Sequence, residues 1–295
     1  MGSQQNPAHA ELVEAHAQLM TIVDALRDAA TTLGQASDTA RLDAELLMAH
    51  AKGVTRSELL LRHMSDSAPP AFAPLLARRL AHEPVAYILG TQEFFGIDFL
   101  VTPDVLIPRG DSEVLVEAAL KARPDALRML DCGTGSGALL LATLALLPRA
   151  QGVGIDRSLA ALTVAAANAA RLGLAARARL LHADWDNADW SRDLGQFDLI
   201  LANPPYVETD APLAISVCNF EPAGALFAGR QGLDAYRILL PQLPSLLAPR
   251  GLALIEIGAS QAEAVSAIAR AAGLTSSLHR DLAERPRALG LVHSD

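Results

Sequence analysis

Lysine is nearly absent: Lys52 and Lys121 are the only two in 295 residues, and the formal net charge is −9. A protein that grips duplex nucleic acid by its phosphates carries a basic footprint, so this balance argues against DNA as the main partner. Cysteine is equally sparse. Cys132 and Cys218 stand alone, with no Cys-x-x-Cys spacing and no clustered histidines. That pattern gives no metal-ligand set and suits two reduced thiols in a cytosolic protein. The longest apolar runs, such as Ala138–Pro148, fall far short of the ~20 residues needed to span a bilayer. Residues 1–10 lack the basic start and apolar core of a secretory signal. The expectation is a cytoplasmic protein without a membrane segment.

What is present points to a folded chain, with 51% hydrophobic and 19% charged residues. Its length suggests two domains, or one with a large appendage. Residues 1–84 read as a small helical bundle. Leu12, Leu19, Val23 and Leu26 recur at helical spacing, and Asp38 is placed to cap a second helix bearing Leu42, Leu46 and Ala49. Thr55-Arg56-Ser57-Glu58 has the capping-box pattern, and Phe72, Leu75, Leu76 and Leu80 suggest a further helix. Residues 85–104 change character. Tyr87–Gly90 and Phe94–Val101 are β-rich and separated by turn residues, which predicts a hairpin.

From 105 to 295 the pattern is strand and helix in alternation. Strands are expected at Met129–Asp131, Gly152–Ile155, Ala178–His182, Phe197–Ala202 and Leu252–Ile257. Helices are expected up to Leu147, between Ser158 and Gly173, near Leu233–Leu247, and over Gln261–Ala272. This predicts an α/β fold with a mostly parallel sheet covered on both faces. Ligands in such sheets bind beyond the carboxyl ends of the strands. Every candidate residue lies at such an end.

Asp131-Cys132-Gly133-Thr134-Gly135-Ser136-Gly137 joins a strand to a helix. Glycines let the backbone turn sharply and approach a ligand without a Cβ in the way, and the helix beyond offers unpaired N–H groups. Gly133, Gly135 and Ala138 satisfy a dinucleotide pattern, and the run equally fits the D-x-G-x-G-x-G loop of class I methyltransferases. Asp156, ending the second strand, can accept hydrogen bonds from both hydroxyls of a ribose, which suits either cofactor. Asp184 and Trp185 follow the third strand, where a carboxylate and an apolar ring can border an adenine.

Asn203-Pro204-Pro205-Tyr206 stands directly after the apolar strand 198–202. A nicotinamide enzyme has no chemical use for it there. A methyltransferase acting on an amide or aromatic NH2 does, because an amide nitrogen is a poor nucleophile whose lone pair is delocalised into its carbonyl. Two acceptors beside the NH2, the Asn203 side-chain carbonyl and the Pro204 backbone carbonyl, can hold both hydrogens and aim the nitrogen. Consecutive prolines fix φ at both positions, and Tyr206 can wall in the planar group.

Together these features resemble the HemK/PrmC-type protein-(glutamine-N5) methyltransferases over nearly the full chain. Glu83–Gly90, Val105–Arg109, Phe220-Glu221-Pro222, Ala225-Leu226 and Gly232–Arg237 also fit that pattern. The resemblance implies a Rossmann-like seven-stranded class I methyltransferase domain over 105–295, a hairpin linker over 85–104, and a substrate-engaging helical domain over 1–84. It implies S-adenosylmethionine as cofactor and the glutamine of the Gly-Gly-Gln motif in class-one peptide chain release factors as acceptor. Asp131, Gly133, Thr134, Gly135, Ser136, Gly137, Asp156, Asp184, Trp185 and Asn203 would then bind cofactor, and Asn203–Tyr206 would hold the glutamine. No metal, membrane or stable nucleic-acid partner is implied.

Two segments depart from the pattern. Gly110 stands where the family has a second proline, in Pro108-Arg109-Gly110-Asp111-Ser112-Glu113, with Ser112 where it has Thr. Arg287-Ala288-Leu289-Gly290-Leu291 lacks the family's Thr and Arg. Two rival readings keep the same amide-holding device: a ribosomal-protein glutamine as acceptor, or adenine N6 in nucleic acid. The second would require an extruded base and held phosphates, which the charge balance disfavours.

Overall fold

The computed structural model describes residues 20–281 and 283–294; Leu12 and Leu19 of the first expected helix lie outside them. Four helices open the described chain: α1 Ile22–Leu33, α2 Ala40–Lys52, α3 Arg56–Arg62 and α4 Phe72–Leu80. Their caps follow local chemistry. Thr55 accepts from the N–H of Glu58, as its capping pattern predicts. Thr39 rather than Asp38 stands at the start of α2, and its hydroxyl turns to Asp43 instead of a backbone amide. The buried face of α2 carries Ala44, Leu47, Met48 and the expected Ala49, while Leu46 is half-buried and Leu42 is exposed. Asp43 and Glu45 share that side because arginines answer them: Arg79 meets Asp43, and Arg41 and Arg56 meet Glu45.

Tyr87–Gly90 is not part of the hairpin. Val85–Leu89 forms a short helix, α5, entered at Pro84 and closed by Gly90 in the left-handed region at φ 74°. Proline presets the entry and glycine the exit, so the end signals override the β-prone Tyr-Ile-Leu run. The hairpin is shorter: β1 Thr91–Phe94 and β2 Ile97–Leu100, joined through Phe95 and Gly96, both at positive φ. Contact density divides the chain into two units. One runs to Gly90 and takes in helix α9, Ile215–Phe220; the other holds Thr91–Ala214 and Glu221 onward.

In the second unit α6 Glu113–Ala122 precedes β3 Arg128–Cys132, α7 Ala138–Leu146, β4 Gln151–Asp156, α8 Leu159–Arg171, β5 Ala178–His182 and β6 Phe197–Ala202. The helix expected near Leu233–Leu247 is broken into α10 Asp234–Leu239, a 3-10 turn, and α11 Leu243–Leu246. Pro241 and Pro244 lack the N–H groups that would continue it. β7 Leu247–Glu256, α12 Ala262–Ala271, β8 Leu274–Arg280 and β9 Pro286–His293 complete the unit. The seven strands order as β5-β4-β3-β6-β7-β9-β8, parallel except around β9.

Alternate residues of the central strands feed opposite faces. Met129, Leu199, Leu201 and Leu254 pack into one core, while Leu130, Ile200, Ala202 and Ile255 pack into the other. Cutting one such leucine to alanine removes roughly 2–5 kcal/mol. Both faces being covered leaves the carboxyl ends of β3, β4, β6 and β7 as the place where polar groups gather. Among the described residues no helix is long and apolar enough to cross a membrane.

Candidate active site

Glycine carries the chain from β3 into α7. Gly133, Gly135 and Gly137 take φ of 77°, 55° and 83°, which bulkier L-residues adopt only with strain. A Cβ on Gly133 would stand 3.1 Å from the Trp185 ring, a tight approach that would push the ring aside by a few tenths of an ångström. The N–H groups of Gly133 and Thr134 both donate to the Ile155 carbonyl, tying the loop to β4.

Two carboxylates frame this loop. Asp131 is buried beneath it and accepts the Thr134 hydroxyl at 2.6 Å through Oδ2, while Oδ1 has no hydrogen-bond partner among the described residues. Burial pushes its carboxyl up to about 7, the Thr134 hydroxyl opposes this, and the Asp156 charge adds to it. Asp156 sits at the end of β4. Its Oδ2 accepts the Gly135 N–H and its Oδ1 the Ser158 N–H, each at 2.9 Å.

A cavity of about 410 Å³ opens here. Gly133, Thr134, Gly135 and Ser136 line one side, Asp156, Asp184 and Trp185 another, and Asn203 and Pro205 a third. Asp131, Gly137, Pro204 and Tyr206 do not line it. Asp131 lies under the loop, Gly137 caps α7, and Pro204 is buried. The Tyr206 hydroxyl turns to Glu256 Oε1 at 3.4 Å rather than into the cavity, and burial followed by that carboxylate's charge pushes it up to about 12.

Asn203 leaves β6 with Nδ2 donating to Ser112 Oγ at 3.2 Å. Its Oδ1 and the Pro204 carbonyl accept no hydrogen bond among the described residues. These are the two atoms expected from the sequence to accept from an NH2 group. The charge pattern fits a ligand with a sugar and a cationic or neutral centre: an acidic strand end, an orphaned buried carboxyl oxygen, and a glycine cradle with no Cβ in it.

Several positioning residues carry no short motif and escape sequence reading. Asn168 of α8 bonds both backbone groups of Leu100 and the Ser136 carbonyl, joining the hairpin to the glycine loop. Gln242 accepts from Trp190 Nε1 at 2.6 Å and donates to the Trp185 carbonyl at 3.0 Å, fixing the segment that carries Trp185. Gln261 donates to the carbonyls of Tyr206 and Gly232. A lone amide in or beside a helix gives no sign of its role; only the fold supplies its partners.

Arg109 also lines the cavity. It pairs with buried Glu221, which in turn accepts the Ile107 N–H at 3.2 Å, so the 107–109 strap is tied to 221. The two departures from the family pattern lie side by side. Asp111, next to Gly110, pairs with Arg287 at 2.7 Å, and Asp281 joins Arg285 and Arg287 at 2.8 and 3.2 Å. Among the described residues no group of acidic, histidine or cysteine side chains has a metal-holding arrangement.

Residues 24–90 match the family described as PrmC N-terminal domain, and residues 124–274 match one described as methyltransferase domain. The release factor glutamine methyltransferase of Moorella thermoacetica is 46% identical over 261 residues, spanning 86% of this chain and 91% of its own. That of Caulobacter vibrioides is 44% identical over 264 residues, with 87% and 90% covered. That of Bordetella pertussis is 45% identical, with 85% and 94% covered. Among solved structures, the hMettl16 catalytic domain in complex with MAT2A 3'UTR hairpin 6 aligns at TM-score 0.55 and 16% identity, covering 75% of this chain and 82% of that one. A methyltransferase from Pyrococcus furiosus aligns at TM-score 0.52 and 17% identity, covering 76% and 100%. At such identities these two structures bear on the fold alone.

Proposed function

We propose, from the premise that this chain belongs to the release factor glutamine methyltransferase family, that Asn203–Tyr206 is the station where the acceptor amide is held. The fold is that of a class I methyltransferase, the cofactor is S-adenosylmethionine, and the reaction methylates a release-factor glutamine. The observation that carries the site assignment is geometric. Asn203 shares one cavity with the glycine loop and Asp156, with its Oδ1 unengaged.

When bound, S-adenosylmethionine supplies an electrophilic methyl group on a sulfonium centre. Asp131, Gly133–Gly137 and Asp156 are assigned to hold it, with Asp156 on the ribose and Asp184 and Trp185 at the adenine. Asp156 keeps acceptor capacity beyond the two amides it already engages, because each carboxylate oxygen has a second lone pair. Asn203 Oδ1 and the Pro204 carbonyl are assigned the two N–H bonds of the glutamine side chain. Holding both hydrogens in one plane directs the nitrogen along the cavity and lends it electron density. This is catalysis by orientation and preset dipoles.

The acceptor we assign is the glutamine of the Gly-Gly-Gln motif in class-one release factors. Residues 1–84 are assigned to engage that protein, residues 85–104 to link, and 105–295 to catalyse. A net charge of −9 supports a protein acceptor without stable nucleic-acid binding, and two cysteines outside any disulfide support a cytoplasmic setting. Incubation with radiolabelled S-adenosylmethionine and three acceptors tests this: a class-one release factor, the same factor with its Gly-Gly-Gln glutamine changed to alanine, and duplex DNA. Label on the intact factor alone supports the reading. Label on DNA, or equal label on the altered factor, overturns it.

A further inference from the structure

Consecutive prolines stiffen the Asn203–Tyr206 turn, but they also strip it of anchors. Pro204 and Pro205 carry no N–H. From Pro204 onward, the first hydrogen-bonded backbone group among the described residues is the Tyr206 carbonyl. What receives that carbonyl therefore sets where the turn ends and where its free acceptors point. The receiver is Gln261, at the N-terminal end of α12 and 55 residues further along the chain.

The Gln261 amide can sit only one way round. Its Nε2 donates to the Tyr206 and Gly232 carbonyls, each at 3.1 Å, and its Oε1 accepts the Gly258 N–H at 2.9 Å. A backbone carbonyl only accepts and a backbone N–H only donates, so these three contacts fix both ends of the amide. Gly232 completes the seat from the other side. It takes φ 64°, and a Cβ there would collide with the Tyr206 carbonyl oxygen and stand 2.7 Å from Gln261 Nε2. Only a residue without a side chain can come so close. The next residue, Val207, is held through its N–H to the Leu226 carbonyl at 2.8 Å and its carbonyl to the Ala228 N–H at 2.9 Å. The Gly232–Arg237 segment that stood out in the sequence thus begins with the glycine against which the turn is seated.

We propose that Gln261 is a positioning residue for methyl transfer: by clamping the Tyr206 carbonyl against Gly232, it presets the Pro204 carbonyl and Asn203 Oδ1 toward the acceptor amide. The inference rests on the assignment of Asn203–Tyr206 made above. Gln261, Gly232 and Tyr206 do not line the cavity, whereas Asn203 and Pro205 do. The clamp therefore acts through the turn and touches neither ligand. Its partners also lie outside the glycine loop and Asp156, so its loss should disturb the acceptor amide and spare the cofactor. A shift of ~1 Å in a reacting group costs about 100-fold in rate, which sets the scale of the effect.

Two replacements of Gln261 separate the clamp from mere space-filling. Gln261→Glu keeps the shape and the acceptor for the Gly258 N–H but removes both donors. Gln261→Met keeps the bulk and removes donors and acceptor alike. Steady-state kinetics on a release factor and cofactor affinity by calorimetry are compared across wild type, Q261E, Q261M, G232A and the G232A/Q261E double variant. The expected kcat loss is about 10- to 100-fold in Q261E and Q261M, with cofactor affinity within about threefold of wild type. G232A should slow the enzyme as well, and the double variant should lose less than the product of the two single losses, because both open one seat. Wild-type kcat in either Gln261 variant, cofactor affinity lost in parallel with kcat in both, or fully multiplicative losses in the double variant would overturn the proposal while leaving the methyltransferase reading intact. A wild-type enzyme that labels no release factor would bring down both.

Discussion

Asp156 and Gly135 meet at the cavity wall, the carboxylate Oδ2 accepting the glycine N–H at 2.9 Å from 21 residues away. This bond does two things. It holds the glycine loop in the left-handed turn that brings its backbone to the ligand, and it fixes the carboxylate whose remaining lone pairs are assigned to the ribose.

Replacing Asp156 with alanine therefore removes both supports. Hydrogen bonds to charged groups contribute about 1.5–3 kcal/mol each, so cofactor affinity should fall by about 10- to 100-fold or more. Calorimetric titration with S-adenosylmethionine checks this. Wild-type affinity in that variant would refute the ribose assignment.

Asn203→Ala removes one of the two acceptors for the acceptor amide and leaves the glycine loop untouched. Loss of a preset dipole of this kind costs about 100- to 1,000-fold in kcat. Cofactor affinity should change by less than about threefold. Equal loss of both would mean that Asn203 serves mainly to hold the end of β6.

Gln242→Leu should strip the Trp190 N–H and the Trp185 carbonyl of their partner at once. Leaving buried polar groups unpaired costs about 1–3 kcal/mol of stability. The distinguishing effect is on the cofactor KM, which should rise several-fold because Trp185 lines the cavity where the adenine is assigned. An unchanged cofactor KM with reduced stability would assign Gln242 to packing alone.

Asp131 makes a pH prediction with a definite sign. Its folded carboxyl is raised from 3.8 to about 7, so between those values the folded state holds more protons than the unfolded one. Its contribution is full below the unfolded pKa and is lost as pH rises toward the folded one. Urea midpoints at about pH 5 and about pH 8 should thus fall further with rising pH in wild type than in D131N. Glu256 titrates over a similar range in both proteins and cancels. Identical changes in the two would contradict the account.

The α/β core was legible because its strands are continuous apolar runs bounded by glycine and proline, and because Ser158 and Gly173 punctuate α8 by local chemistry. The glycine loop, Asp156 and Asn203 were legible for a related reason. Each sits at a strand end, and each is a residue type the backbone or ligand requires. Tyr87–Leu89 misled because β propensity reports how a side chain fits a sheet, whereas Pro84 and Gly90 set the backbone directly. The buried face of α2 was misplaced because Asp43 and Glu45 look solvent-bound until Arg79, Arg41 and Arg56 are seen beside them. Ser112, Asn168, Gln242 and Glu256 were invisible for one reason: each meets a partner far off in the chain, 91 residues for Ser112 and Asn203, 68 for Asn168 and Leu100, 57 for Gln242 and Trp185, and 50 for Glu256 and Tyr206. No local pattern encodes that pairing.

The most direct test of the central claim is a tandem mass spectrum of a class-one release factor after incubation with this enzyme and S-adenosylmethionine. One added methyl group is expected on the side-chain nitrogen of the Gly-Gly-Gln glutamine, absent when N203A replaces the wild-type enzyme. A methyl group on any other residue, or an unchanged spectrum with N203A, would contradict it.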